Sequence, residues 1–487
     1  MSAPSTLEST HPRAGFVPIL LANLLPLVGV LAFGWDAATL AMVYALEVFL
    51  SFPLAAAKAL FAQQPSKVET DENDHKDPTV ADELKERRGS AQLVPWLPPI
   101  YPRNVPFVST VFTGFAWVAV AVGSILSTAI PVADVLTRPE VLVSILALVA
   151  ASAADGWFDY IRGGRYEAVS AYEVAETHVG QTLFVVFVLM LVTIPEDVSG
   201  VALLVGFVAA KVLVEWASFR AAHRDGGPNR ILGWLAGPDD PTEPTEPPIV
   251  PDGEPTARFS TDNTAVRYTA VQHTLFRSLF FAPWIVISWV VLLAVFTGDG
   301  TPLSVVVATA VAFGSLLLLQ PAVEFLKFVL RYGPLEYRRY EDDDRDEDRL
   351  VAYDTWVDEP QWSVPLHEVR DVTVVRDNLP DHLLDTRTFA ATVGWGDDEF
   401  ERDIGPVSDG EAFATTFDLL VRSTELEPID RRLAGAAVAL AGCAVLGFVL
   451  AVAATPSVGT VIQGVYILPF ALVPAWGLWR LAYPSAE

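Results

Sequence analysis

Lysine and cysteine are almost missing from this sequence. Six lysines (Lys58, Lys67, Lys76, Lys85, Lys211 and Lys327) stand among 32 basic residues, so arginine carries nearly all the positive charge. Against them are 59 acidic residues, for a formal net charge of −27. That balance disfavours nucleic acid, whose phosphates are bound by clusters of Lys and Arg, and no nucleic-acid partner is expected. It equally disfavours peripheral attachment to anionic lipid. The single cysteine, Cys443, lies inside an apolar run. An internal disulfide is therefore impossible, and the residue reads as a small core side chain.

Catalytic patterns are missing as well. His367-Glu368 is not followed by a second His at metalloprotease spacing. There is no G-x-S-x-G elbow, no Walker-type phosphate loop and no dinucleotide fingerprint. The acidic run 341–348 (EDDDRDED) lacks the glycine and spacing of an EF-hand loop and reads as solvated surface. No catalytic residue, cofactor or metal site is expected on these grounds.

What the chain does have is long apolar runs with the charge placed between them. Some 52% of its residues are hydrophobic. A hydrocarbon core about 30 Å thick needs about 20 apolar residues of helix to cross it. Ten candidate spans meet or approach that length: 16–34, 38–61, 107–130, 141–154, 182–194, 198–216, 279–296, 303–330, 433–453 and 461–483. The fourth and fifth are short, and their ends are expected to extend into 157–160 and 174–181. No small-residue cleavage site follows the first run, so a retained helix is expected there. Arginine and lysine fall in alternate loops, and the opposite loops contain only Arg138. This bias places both termini in the cytoplasm. The expected class is mostly α: a polytopic membrane helix bundle of about ten spans, carrying a small inserted α+β cytoplasmic domain, in the cell membrane with the lipid bilayer as its partner.

The organisation divides as follows. Residues 1–225 form a six-helix membrane region. Residues 226–275 form a cytoplasmic linker whose stretch 238–255 is rich in Pro and acid. Spans seven and eight occupy 276–332, the cytoplasmic domain 333–427, and spans nine and ten 428–487. Neither 63–105 nor 238–255 has the apolar content for a core. Within the cytoplasmic domain, strands are predicted over 349–356, 362–376, 388–395 and 399–404, with a hairpin marked by Gly394 and the Gly396-Asp397-Asp398 cluster. A helix follows over 409–422, with Ala412, Phe413, Phe417, Leu420 and Val421 on one stripe suited to capping a sheet.

Two resemblances attach to these segments. The stretches LLANLLPLVGVLAFGWDAATLAMVYALEVF (20–49) and VALLVGFVAAKVLVEW (201–216) make residues 16–225 similar to a family of multi-pass membrane proteins with a domain of unknown function, DUF6498-like. That resemblance implies no activity. The acidic composition resembles that of proteins from salt-loving archaea. Residues 349–422, with VAYDTWV and WSVPLHEVRDVTVVRD, look like the bacterial and archaeal pleckstrin-homology-like domains inserted in membrane proteins. That resemblance implies interaction or assembly with a protein partner, reached through 333–427, and no catalysis.

Ionisable residues inside spans are costly and mark functional candidates. Glu47 falls near the middle of the second span and Lys211 near that of the sixth. An ion pair fixing helix packing is the preferred reading over a proton or ion path. Lys58, Glu215, Glu324 and Lys327 lie close enough to span ends to snorkel, and the i, i+3 spacing of the last two allows a local pair. Asp155, Asp159, Arg162, Arg165, Glu173, Glu176 and His178 gather polar groups at the ends of spans four and five. They read as a solvated interfacial segment before they read as a site. Gly114, Gly123, Ser124 and Ser127 suit close helix packing. The leading expectation is a non-enzymatic scaffold. A transporter or channel using Glu47 and Lys211 comes second and an intramembrane enzyme last.

Overall fold

The structure is a computed structural model describing residues 24, 27–66, 80–192, 199–222, 247–296, 303–341, 347–394, 400–455 and 458–483. The chain divides into two compact units. One combines residues 1–66, 107–242 and 291–313, the other 67–106, 243–290 and 314–487.

The first unit is helical. Residues 27–33 are helical, and the rest of the first expected span lies outside the described residues apart from Leu24 and Gly34. The helices are α1 (Ala37–Phe61), α3 (Val105–Ala129), the short α4 (Val132–Leu136), α5 (Pro139–Asp155), α6 (Ala171–Val192) and α7 (Gly200–Ala222); α2 (Val80–Lys85) belongs to the second unit. Asp36 caps α1, its carboxylate accepting from the Thr39 backbone N–H at 3.3 Å and from its hydroxyl at 2.6 Å. This satisfies donors that the first turn leaves without intrahelical partners. As the pattern suggested, the fourth run continues past Asp155, through a π-helical turn over Gly156–Ile161. The fifth begins earlier than its apolar stretch, at Ala171. Small residues let α1 pack closely: Ala41, Ala45, Ala55, Ala56 and Ala59 are buried with Val111, Val122 and Leu126 of α3, Leu189 of α6 and Leu203, Leu204 and Phe207 of α7. Small residues of this kind let helix backbones approach closely and gain van der Waals contact. Gly114 takes part, since a Cβ there would stand 3.6 Å from Phe52. Gly123 does not, because a Cβ there would meet nothing within 4 Å. The Ser124 and Ser127 side chains lie outside the described residues.

The second unit joins helices to two antiparallel sheets. Strands β1 (Ala257–Ser260), β2 (Leu335–Tyr340), β3 (Arg349–Asp354) and β4 (Glu359–Pro365) form one sheet in sequence order. Strands β5 (Val369–Val374), β6 (Arg387–Val393) and β7 (Phe400–Val407) form the other. Tyr337, Leu350, Phe389, Ile404, Phe413 and Phe417 are fully buried in the core of this domain. Burial pushes the Tyr337 phenol up to about 12, and its oxygen accepts from the Gly405 N–H at 3.0 Å. Between β1 and β2 the chain runs through α8 (Asn263–Phe296) and α9 (Leu303–Tyr332). The helical hairpin is thus an insertion in the β-domain, after its first strand. The linker expected over 226–275 ends earlier than its composition suggested, because β1 and the first turns of α8 lie inside it.

Other expectations change in detail. The single strand expected over 362–376 breaks at Pro365, which cannot donate to a ladder. A 3₁₀ turn, Leu366–Glu368, then separates β4 from β5. A short helix, α10 (Leu379–Leu384), precedes β6. The capping helix α11 (Gly410–Thr416) stops well before 422. Asp418 follows with φ +50, so Phe413 and Phe417 are buried while Leu420 is 93% exposed. Residues 395–399, between β6 and β7, lie outside the described residues. The segment 80–90, expected to lack a core, inserts a fully buried Leu84. The chain closes with α12 (Arg431–Ala454), capped by Asp430, and α13 (Val458–Leu481).

Among the described residues five helices are long and apolar enough to cross a membrane: Ala37–Phe61, Ala171–Val192, Gly200–Ala217, Phe313–Tyr332 and Arg431–Ala454.

Candidate functional site

Helices α1 and α7 bring together the two charges that the sequence placed in mid-span. Lys211 Nζ lies 2.6 Å from Glu47 Oε1, and the side chains are 29% and 40% exposed. The ammonium also stands 5.4 Å from the ring centre of Tyr44, a residue that is itself buried and stacked near Phe207. Inside a low-dielectric layer an isolated charge is costly, and each partner removes most of the other's field. This is a neutral unit set on one side of a helix pair.

Among the described residues, the polar side chains of the α5–α6 connection do not converge on one point. Asp159 and Arg165 form an exposed pair at 3.3 Å. Arg162 is exposed on the same turn. The backbone N–H of Glu173 donates to Ser170 Oγ at the start of α6. The side chains of Asp155 and Glu176 lie outside the described residues. His178 points elsewhere, its Nε2 3.1 Å from Ser51 Oγ and its ring edge-on to Phe52 at 4.7 Å. A serine and a histidine at this distance suggest a nucleophile and its base, but the protons run the wrong way. Ser51 gives its only hydroxyl hydrogen to the Val48 carbonyl at 2.5 Å, leaving its oxygen to accept from the imidazole. An activated serine would donate to the histidine. Among the described residues no three His, Cys, Asp or Glu side chains group as a metal site requires.

A second set of charges lies where α9 enters the β-domain, and sequence reasoning missed it. Arg331, in the last turn of α9, pairs with Glu83 of α2. Arg87 pairs with Asp354 at the end of β3, its Nε donating at 2.8 Å. Side-chain exposure is 6% and 5% for the first pair and 4% and 1% for the second. The Asp354 carboxylate also accepts from the backbone of Trp356 at 2.8 Å. The Arg88 N–H donates to Gln361 at 2.9 Å. Glu324 and Lys327, expected to snorkel, are instead buried and paired at 3.0 Å, with Arg277 3.5 Å from the same carboxylate. These pairs span 248 and 267 residues of sequence for Glu83–Arg331 and Arg87–Asp354, so no local spacing could disclose them. The one available signal was the amphipathic spacing of Glu83, Leu84 and Arg87. A pocket of about 30 Å³ lies among Glu83, Arg87, Arg331, Trp362 and Arg402, room for about two waters. Arg331 Nη2 and Trp362 Nε1 are buried without a protein acceptor, which is the polar lining that ordered water requires.

A family model described as a family of unknown function, DUF6498, matches residues 5–230. The N-terminal helical region is therefore similar to that family, over slightly more of the chain than its two quoted stretches suggested. No curated protein and no solved structure matches the chain.

Proposed function

We propose that this chain is a non-enzymatic integral membrane protein of the cell membrane, in which a pleckstrin-homology-like cytoplasmic domain serves interaction or assembly. In this reading about ten helices cross the bilayer, both termini are cytoplasmic, and the acidic surface is of the kind found in salt-loving archaea. The observation that carries it is the β-domain. Four plus three antiparallel strands are closed by α11 over a core of Phe389, Phe413 and Phe417, and the charges of Arg87, Asp354, Arg331 and Glu83 are buried in pairs. The pocket beside them, about 30 Å³, holds about two waters and no substrate, so the domain is read as offering its surface.

The test is native mass spectrometry of the full chain extracted in mild detergent. An assembly or a co-purifying partner, lost when the β-domain is disrupted by Phe413→Asp, is expected. A monomer that carries nothing would contradict the proposal.

One observation favours transport as the second reading: the Glu47–Lys211 pair is part-exposed. Proteoliposomes would separate the two. Flux of protons or sodium that disappears in Glu47→Gln supports transport, and a gradient held as well as in empty vesicles supports the scaffold.

A further inference from the structure

Several exposed apolar side chains of the second unit stand at the level at which α8, α9 and α13 meet the β-domain. The β-domain is bolted to these helices by several contacts. Thr355 donates to the Pro334 carbonyl, just after α9 ends, at 2.9 Å from nitrogen and 3.0 Å from oxygen. The Leu379 N–H of α10 donates to Gln272 of α8 at 3.1 Å, and Thr269 donates to Asn378 at 3.3 Å. The His382 ring lies 5.8 Å from that of Tyr483, just past α13, the two tilted by 53°. Asp381, fully buried, holds α10 in place by accepting from Thr386 at 2.5 Å and from the Thr388 N–H at 3.1 Å.

This framework fixes where α10 stands. Gln272 precedes the apolar run of α8, which starts at Leu279, by seven residues, about 10 Å along a helix axis. The polar layer on each side of a hydrocarbon core is about 5–8 Å thick, so Gln272 stands at its outer edge and the residues nearer Leu279 stand within it. At the same height Leu383 of α10 is 69% exposed, Leu384 39%, Tyr268 and Leu275 of α8 are exposed, and Trp476 of α13 carries Arg480 over its ring at 4.6 Å. Arg431 and Arg432 begin α12 at this level, since Asp430 bonds to Ala482 at the end of α13. Tyr and Trp beside arginine, with leucine between them, is the composition of a membrane interface. The opposite end of the domain is different: β2 runs from there into the acidic stretch 341–348, which anionic headgroups would repel.

We propose that this rim is a lipid-contacting surface: α10 rests in the headgroup layer with Leu383 and Leu384 directed into the bilayer, holding the β-domain flush against the membrane. The proposal rests on the membrane reading above and deepens it. The contacts with α8 and α13 hold α10 at this level, and water at Leu383 and Leu384 would leave two large apolar side chains solvated beside an apolar phase.

The experiment uses the full chain in lipid nanodiscs on a Cys443→Ser background, with a nitroxide placed in turn at Leu383→Cys, Leu384→Cys, Leu420→Cys and Leu446→Cys. Leu446 sits mid-helix in α12 and Leu420 beside the distal end of β2, where Arg339 bonds to Thr416 and Asp418. Labels at 383 and 384 are expected to collide more with oxygen than with an aqueous nickel complex, as at 446, with the order reversed at 420. If 446 reports lipid while 383 and 384 both report water, the rim does not touch the bilayer and this inference fails alone. If 383 and 384 are shielded from both reagents, a protein covers the rim and the inference fails. An aqueous label at 446 overturns the membrane reading and this inference together.

Discussion

The two units differ in how far their ion pairs are closed off: the second has open pairs too, such as Arg339–Asp418 and Arg387–Asp385, but only it has pairs that are almost fully buried among the described residues. In the first, the pairs stand partly open: Lys211–Glu47 at 29% and 40% exposure, Arg138–Asp36 at 39% and 50%. In the second, Arg87–Asp354 and Arg331–Glu83 are closed to within a few per cent. The difference follows from what surrounds each. A helix bundle built on small residues has thin seams that cannot enclose long side chains, so its charges are neutralised in place. A sheet domain with an aromatic core has walls thick enough to bury a guanidinium, provided that a carboxylate meets it. The lesson concerns what breaks each unit. The open pairs tolerate loss better than the sealed ones do.

The sharpest break should come from Asp354→Ala. It strands the Arg87 guanidinium and removes an acceptor from the β3–β4 turn, and removing one partner of a buried pair costs about 3–5 kcal/mol. Thermal unfolding of the full chain in detergent measures it. A companion change, Arg87→Met with Asp354→Leu, should recover much of the loss, since an apolar replacement leaves no charge uncompensated. In the first unit Lys211→Met is expected to cost less, about 2–3 kcal/mol if the proposed span places Glu47 in the bilayer, by leaving that carboxylate alone there. Adding Glu47→Gln should restore most of it; a double variant as unstable as the sum of the singles would show that the two charges do not couple.

Gly89→Ala tests the segment that docks on the β-domain. Gly89 has φ +87, and an added Cβ would stand 2.5 Å from Val357. The left-handed backbone alone costs a non-glycine residue about 1–3 kcal/mol, read as a lower midpoint in urea. The smallest effect belongs to Asp36→Ala, about 1 kcal/mol for a lost helix cap. Its carboxyl lies below the usual value of 3.8, held there chiefly by the Thr39 hydroxyl and also by Arg138. A depressed carboxylate contributes stability above its unfolded value and loses it as pH falls through the folded one. The variant and the parent should therefore converge on acidification below about pH 4. Curves that stay parallel down to pH 2 would rule out this role.

Much of the architecture was legible, and the exceptions have physical reasons. Apolar runs disclosed α1, α7, α12 and α13 because an uninterrupted apolar stretch of about 20 residues is a strong helix signal in sequence. The β-branched Val369-Arg370-Asp371-Val372-Thr373-Val374 disclosed β5 because its stiff side chains suit a pleated surface. Strand β1 stayed hidden: four residues, Ala257–Ser260, alternate too briefly to register, and their partner β2 follows only after two helices. The helix stop at Thr416 was hidden too, since the apolar spacing continues through Leu420 although the backbone turns left-handed at Asp418. At the candidate site, Glu47 and Lys211 were visible because charge is conspicuous in an apolar run, whereas Glu83, Arg87 and Asp354 were lost among other charges and meet only in three dimensions. His178 was visible as a polar residue, but its partner Ser51 was not, because a serine in an apolar helix commonly bonds its own backbone.

The most direct test of the whole account is the sidedness of two positions. On a Cys443→Ser background, Thr137→Cys lies in the connection carrying Arg138 and Leu420→Cys lies on the β-domain; both are exposed. In intact cells a membrane-impermeant maleimide should label the cysteine at 137 and reach the one at 420 only after permeabilisation. Labelling of both in intact cells, or of both only after permeabilisation, would contradict a membrane bundle that carries its β-domain on the cytoplasmic side.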